Sequence, residues 1–186
     1  MKFILLSLGL AVFSSVCWYY SPKISPEQHS WETSILSYLP AQKELYRWKY
    51  IVIHHSASAI GNASIFHEEH LKRGWDGLGY HFVIGNGQGS LDGAIEIGFR
   101  WKEQKHGAHA GDTEYNQHGI GICLVGNFEE TSMTSKQRES LRLLLKTLTR
   151  QCQISEEHIV GHSTVKSTTL CPGKYCSIEE IRNNLK

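Results

Sequence analysis

The chain has 186 residues, with 19 basic and 18 acidic side chains. At ~100–200 residues per domain this leaves room for one domain and a short appendage, and the near-balance of charge excludes the basic stripe of a phosphate-tracking nucleic-acid binder. Apolar residues make up 40% with 17 glycines and 4 prolines, which is neither disordered nor collagen-like, while 11 histidines are many for this length and point toward a metal or proton-transfer site.

Residues 1–20 differ from the rest: Met1-Lys2 precedes a nearly unbroken apolar run over 3–16, followed by Cys17-Trp18-Tyr19-Tyr20. This reads as an export signal, since no charged residue interrupts the run to give the strongly polar outward face of a core helix. The run is shorter than the ~20 residues that cross a bilayer comfortably, yet the aromatic trio suits a membrane interface, so cleavage and retention as an N-terminal membrane anchor both stay open. Cys17 offers a lipid acceptor, but Val16 before it is a poor fit, and simple export is the preferred expectation: a periplasmic, envelope or extracellular protein. Residues 21–47, with Pro22, Pro26 and Pro40, read as a linker carrying one short helix at 31–39. A single domain, expected to be monomeric, then covers 48–186.

Within that domain the periodicity switches repeatedly. Residues 49–54 are β-branched and apolar and predict a buried strand ending in His54-His55. Asn62 can cap a helix that reaches Arg73 and is closed by Gly74. Residues 80–84 predict a second strand, 85–89 a glycine-rich turn, and 94–99 another strand. Residues 118–125 form an apolar strand stopped by Gly126-Asn127. Thr134 starts the clearest helix, with Leu141, Leu144, Leu145 and Leu148 on one face. Ile159-Val160 leads into Gly161-His162, and Ser177 with Glu180 predicts a capping box for a last helix. Strands and helices interleaved in this way imply an α/β domain with helices packed on its sheet.

Spacing excludes several motifs. Gly85, Gly87 and Gly89 do not give G-x-G-x-x-G and no helix follows them, so a dinucleotide site is rejected. No G-x-S-x-G occurs, so there is no nucleophile elbow. In His67-Glu68-Glu69-His70 the histidines are three apart, where a zincin needs four; the segment reads as a solvated helix face with one histidine turned toward the sheet. What remains are histidines at strand ends and glycine turns: His54-His55, His109 within Gly107-Ala108-His109-Ala110, and His162 after Gly161. Strand ends are where an α/β sheet places ligands. Zinc favours imidazole nitrogen and thiolate sulfur, and a catalytic zinc takes three protein ligands and keeps one position for water. Spacing alone does not choose which histidines, and a histidine taken singly is more often structural.

Five strings occur in order: 50–58 (Tyr-Ile-Val-Ile-His-His-Ser-Ala-Ser), 74–84 (Gly-Trp-Asp-Gly-Leu-Gly-Tyr-His-Phe-Val-Ile), 107–110 (Gly-Ala-His-Ala), 119–127 (Gly-Ile-Gly-Ile-Cys-Leu-Val-Gly-Asn), and Gly161-His162 through Cys171-Pro172-Gly173. Together they resemble the zinc-dependent N-acetylmuramoyl-L-alanine amidases, the family shared by small phage amidases and peptidoglycan recognition proteins, over about residues 47–185. The resemblance implies a central mixed β-sheet flanked by helices, with Zn²⁺ in a groove that binds peptidoglycan or muropeptides. By motif position it implies His54, His162 and Cys171 as metal ligands, Tyr80 as catalytic tyrosine and Thr169 as a second catalytic residue. His109 and Asn116 match substrate-contacting positions, His55 a packing position, and His81 a structural residue on the opposite sheet face from Tyr80. Lys166 lies near Thr169 but at another offset. The implied reaction is hydrolysis of the amide joining N-acetylmuramic acid to L-alanine; the alternative is a non-catalytic recognition module, against which Cys171 stands, since such binders commonly replace it.

Two departures accompany the likeness, and one further position favours its phage-like branch. The hairpin over 85–93 is longer than in phage enzymes, the His162 to Cys171 spacing is one residue longer than in recognition proteins, and Cys123 stands where some cytoplasmic recycling amidases carry a catalytic glutamate. Cys123 is read as a buried core thiol. With Cys171 reserved for metal, Cys152 and Cys176 are the expected disulfide of an exported chain.

Overall fold

The computed structural model describes Ser37 and residues 46–185. The expectations for the export segment, the linker as far as residue 45 and the helix at 31–39 fall outside the described residues, except that Ser37 is helical. Five strands form one sheet: β1 (Tyr50–His55), β2 (Phe82–Ile84), β3 (Ile95–Ile97), β4 (Gly119–Leu124) and β5 (Ile159–Gly161), in the order β3-β2-β4-β1-β5. β1 runs parallel to β4 and to β5, β2 runs parallel to β4, and β3 returns antiparallel on β2. Helices α1 (Ala63–Lys72), α2 (Phe99–Lys102), α3 (Thr113–His118), α4 (Ser135–Cys152), α5 (His162–Val165) and α6 (Ile178–Asn183) accompany the sheet, giving the α/β fold read from the residues with the mixed central sheet that the resemblance implied.

Both sheet faces are covered, which is why the parallel strands read as nearly continuous apolar runs. On one face Ile51, Ile53, Phe82, Ile84, Ile120, Ile122 and Leu124 meet Leu141, Leu144, Leu145 and Leu148 of α4. Each such leucine contributes about 1.5–3 kcal/mol of burial. On the other face Val83, Cys123 and Val125 meet Phe66 of α1 and Leu78. α4 starts in a complete capping box, with the Thr134 side chain on the Gln137 N–H and the Gln137 side chain on the Thr134 N–H. Asn62 caps α1 by accepting from the Ile65 N–H at 2.7 Å, and Ser177 caps α6 through the Glu180 N–H.

Boundaries move by one or two residues at several strand ends. The second strand starts at Phe82 rather than at residue 80, although the His81 N–H still bonds to the Gly121 carbonyl at 2.9 Å; ahead of it the Gly79 N–H is taken by His70 Nδ1 at 2.9 Å. The third contracts to Ile95–Ile97 because Gly98 begins α2. α3, capped by Asp112 on the Tyr115 N–H, was not legible and absorbs His118. Cys123, Cys152, Cys171 and Cys176 are all free thiols, which corrects the expected Cys152–Cys176 bridge. Cys176 lies in the α4-side core with Cys152 packed against it, and burial pushes both thiols up to about 12, so they act as inert apolar groups.

His81 is fully buried. Its Nδ1 accepts from the Gly121 N–H at 2.9 Å, Nε2 donates to the Lys105 carbonyl at 3.0 Å, and the ring sits edge-on to Trp48. This is the structural use expected, although Tyr80 and His81 precede the paired strand, so strand alternation does not separate them. Burial, then His109, hold His81 well below the usual imidazole pKa. Above pH ~6.5 neither folded nor unfolded His81 carries a proton and pH has no leverage; below it the unfolded chain takes up a proton that the folded chain refuses, so stability falls with falling pH. Urea unfolding in chelator at pH 7 and pH 5 should therefore show a smaller acid loss for His81→Gln than for wild type. An equal loss in both would mean that His81 does not titrate on unfolding in this window.

Candidate metal centre and groove

β1 lies between two parallel neighbours, and its register fixes what meets at its carboxyl end. His54 stands opposite Cys123 of β4, and Ile53 opposite Gly161 of β5, so His162 follows immediately as the first residue of α5. Alternation along β1 sends His54 and His55 to opposite faces. His55 Nδ1 accepts from the Phe128 N–H at 3.0 Å, a packing use. The turn carrying Cys171 is tied to α5 by the Ser163 N–H on the Cys171 carbonyl at 2.6 Å and steadied by the Cys171 N–H on Thr169 Oγ1 at 3.2 Å.

These connections gather His54, His162 and Cys171, whose donor atoms all lie within 4.8 Å of one another, the only such three-residue set found among the described residues. Cys171 Sγ is 3.7 Å from His54 Nδ1. Bonds of ~2.3 Å from zinc to sulfur and ~2.0 Å to nitrogen at a tetrahedral angle would set those atoms about 3.5 Å apart, so the donor set fits the ion. Burial first, then His109 and His162, hold His54 well below the ordinary imidazole range, and burial lowers His162 as well. Both are thereby kept in the neutral form, which is the form that can bind a metal ion. Burial pushes the Cys171 thiol up to about 11, opposed by a hydrogen bond from the His55 backbone, whose N–H points at Sγ from 3.4 Å.

Tyr80 packs against this cluster with its ring 5.2 Å from that of His54 and 5.6 Å from that of His70. Burial, and after it the neighbouring Cys123 and Cys171, raise its hydroxyl well above the usual phenol pKa, so it remains an O–H donor. A groove of about 500 Å³ opens beside His162, lined also by Trp75, Asp76, His109, Asn116 and Lys166 among others. His109 and Asn116, the expected substrate contacts, line it while both ring nitrogens of His109 and the Oδ1 of Asn116 are committed inside the protein. His109 Nδ1 lies 3.0 Å from His54 Nε2, and His109 Nε2 lies 3.1 Å from the Gly119 carbonyl. Asn116 Oδ1 accepts from the N–H groups of both His109 and Ala110 at 2.8 Å. Lys166 is exposed at the rim.

The groove wall at 75–80 depends on residues that sequence reasoning passed over. His67 and His70, read as a solvated face with one inward histidine, both work: His67 Nδ1 accepts from the Leu78 N–H at 3.2 Å and His70 Nδ1 from the Gly79 N–H. Arg100, 1% exposed, donates to the carbonyls of Leu78 and His106 at 2.7 Å each and pairs with Asp76. An arginine between Phe99 and Trp101 was its only trace in the sequence. Arg100→Met keeps the chain length but strands two carbonyls, and should cost roughly 2–4 kcal/mol in chemical unfolding. A loss below about 1 kcal/mol would mean that the loop is held by other contacts.

Comparison with known proteins agrees with this fold. The family model described as N-acetylmuramoyl-L-alanine amidase matches residues 44–174. Peptidoglycan-recognition protein SC2 of Drosophila simulans is 34% identical over 154 residues, covering 76% of this chain and 72% of that protein. Among solved structures, N-acetylmuramoyl-L-alanine amidase LysC from Clostridium intestinale superposes with a TM-score of 0.67 at 34% identity, covering 75% of this chain and 86% of that one. A Drosophila PGRP-LB variant solved in complex with tracheal cytotoxin gives a TM-score of 0.56 at 26% identity, covering 74% and 83%.

Proposed function

The chain belongs to the N-acetylmuramoyl-L-alanine amidase family, and from that premise we propose that it is a zinc-dependent hydrolase of the amide bond between N-acetylmuramic acid and L-alanine in peptidoglycan. The observation that carries the proposal is the donor set itself: two neutral imidazoles and one sulfur within 4.8 Å match a catalytic zinc site, which keeps one position open, rather than a closed structural one with four protein ligands. Zinc held there supplies Lewis acidity and lowers the pKa of a coordinated water toward ~7.

His54, His162 and Cys171 would be the ligands. The groove beside His162 takes the muropeptide, with Trp75 and Lys166 on its walls. As the amide carbon becomes tetrahedral, its oxygen gathers negative charge, and the Tyr80 hydroxyl, kept protonated by burial, donates a hydrogen bond to it from a position set before the reaction begins. Thr169, already fixed on the Cys171 N–H, is assigned the lesser task of orienting water or that oxygen. Export to the compartment that holds peptidoglycan belongs to the same proposal and is supported by the apolar run over 3–16.

Tyr80→Phe should lower kcat by roughly 10²- to 10³-fold, the usual loss for one oxyanion donor, with zinc content unchanged; unaltered turnover would assign Tyr80 to packing. Cys171→Ser removes the soft ligand, so zinc content by elemental analysis and release of stem peptides from purified sacculi should fall together. Binding to insoluble wall should survive in part, because the groove is lined by other residues. Wild-type protein that holds wall but carries no zinc and releases no peptide would make this chain a recognition module instead.

A further inference from the structure

The loop over 107–110 joins the two histidines of the donor set through one device. Ala110 offers its carbonyl to His162 Nε2 at 3.0 Å. A carbonyl only accepts, so the proton of neutral His162 sits on Nε2 and the lone pair on Nδ1. The neighbouring residue does the equivalent for His54 with its side chain. His109 Nε2 faces the Gly119 carbonyl at 3.1 Å and must carry the proton there, because an unprotonated nitrogen would set two acceptors against each other. His109 Nδ1 is then a bare acceptor, and the atom 3.0 Å from it, His54 Nε2, must be the donor. His54 is left with its lone pair on Nδ1, the nitrogen that faces Cys171 Sγ. One carbonyl at the start of β4 thus dictates, through His109, which nitrogen β1 presents.

The loop is held so that neither choice can relax. Asn116 Oδ1 accepts from the N–H groups of His109 and Ala110 together. The His109 ring lies against glycines: a Cβ at Gly107 would sit 2.3 Å, and one at Gly121 2.5 Å, from its Cδ2. His54 is 1% exposed, so water does not offer Nε2 an alternative acceptor.

We infer that His109 is a positioning residue for the metal centre, and that the 107–110 loop pinned by Asn116 fixes the ligating nitrogen of both His54 and His162. The inference rests on the zinc reading above and gives His109 and Asn116 a task other than gripping substrate. Outer partners of metal ligands set ligand orientation and basicity, and their loss typically weakens metal affinity by about 10- to 100-fold.

The first test uses metal-free wild-type protein. Long-range ¹⁵N–¹H NMR of the imidazoles should show the Nε2–H tautomer for His54, His109 and His162, and zinc should then shift Nδ1 of His54 and His162 while the Nε2 protons stay. A Nδ1–H tautomer on His54 or His109 overturns the inference. The second test titrates zinc against a chromophoric chelator. His109→Leu should bind zinc about 10- to 100-fold more weakly than wild type, and His109→Gln, which restores an acceptor, should recover much of the loss. Wild-type protein that binds zinc while His109→Leu binds it equally well overturns this role alone. Wild-type protein with no zinc affinity overturns the zinc reading, and this role with it.

Discussion

The parallel register of β1 between β4 and β5 is the constraint on which the site depends. It buries Ile51 and Ile53 under α4, and the same alternation delivers His54 to the opposite face at a fixed height. Because Ile53 pairs with Gly161, His162 must leave the sheet one step beyond that height. A slip of one residue would exchange His54 for His55 and place an imidazole in the α4-side core. The core therefore fixes the position of the metal donors: each apolar contact that locks β1 in register also locks the separation between His54 and the turn bearing Cys171.

Burying so many polar groups in one place requires partners for all of them, and that explains much of the histidine count. His55, His67, His70 and His81 each use a ring nitrogen to accept a backbone N–H, from Phe128, Leu78, Gly79 and Gly121 respectively. The rings of His55, His67 and His70 satisfy loop backbone that strand pairing does not reach, that of His81 serves Gly121 within β4, and His70 also packs against Tyr80. Arg100 does the complementary work for carbonyls. The groove wall is thereby held in shape before any ligand enters, which is the condition under which a hydroxyl such as that of Tyr80 acts strongly.

What the sequence disclosed follows from range. The β1 and β4 runs and the α4 leucine face were legible because burial imposes a period on consecutive residues, and the Thr134 and Asn62 caps because they are local. The trio His54, His162 and Cys171 could be named only through resemblance, since its members lie 108 and 9 positions apart in the chain and nothing local binds them. The work of His109 and Asn116 was out of reach altogether. It depends on which atom of each side chain meets which backbone group, and a Gly-Ala-His-Ala string looks the same whether its histidine faces substrate or supports a ligand. The thiols misled for a related reason: an exported chain favours disulfides, but whether Cys152 and Cys176 bridge or pack is decided by core geometry.

The central claim is that one sulfur and two imidazole nitrogens from three separate elements hold a zinc with a fourth position open. Zinc K-edge X-ray absorption of the loaded protein tests this most directly. The expected shell is one sulfur at ~2.3 Å and three nitrogen or oxygen atoms at ~2.0–2.1 Å, with the sulfur lost in Cys171→Ser. A shell with no sulfur, or with two, would contradict it.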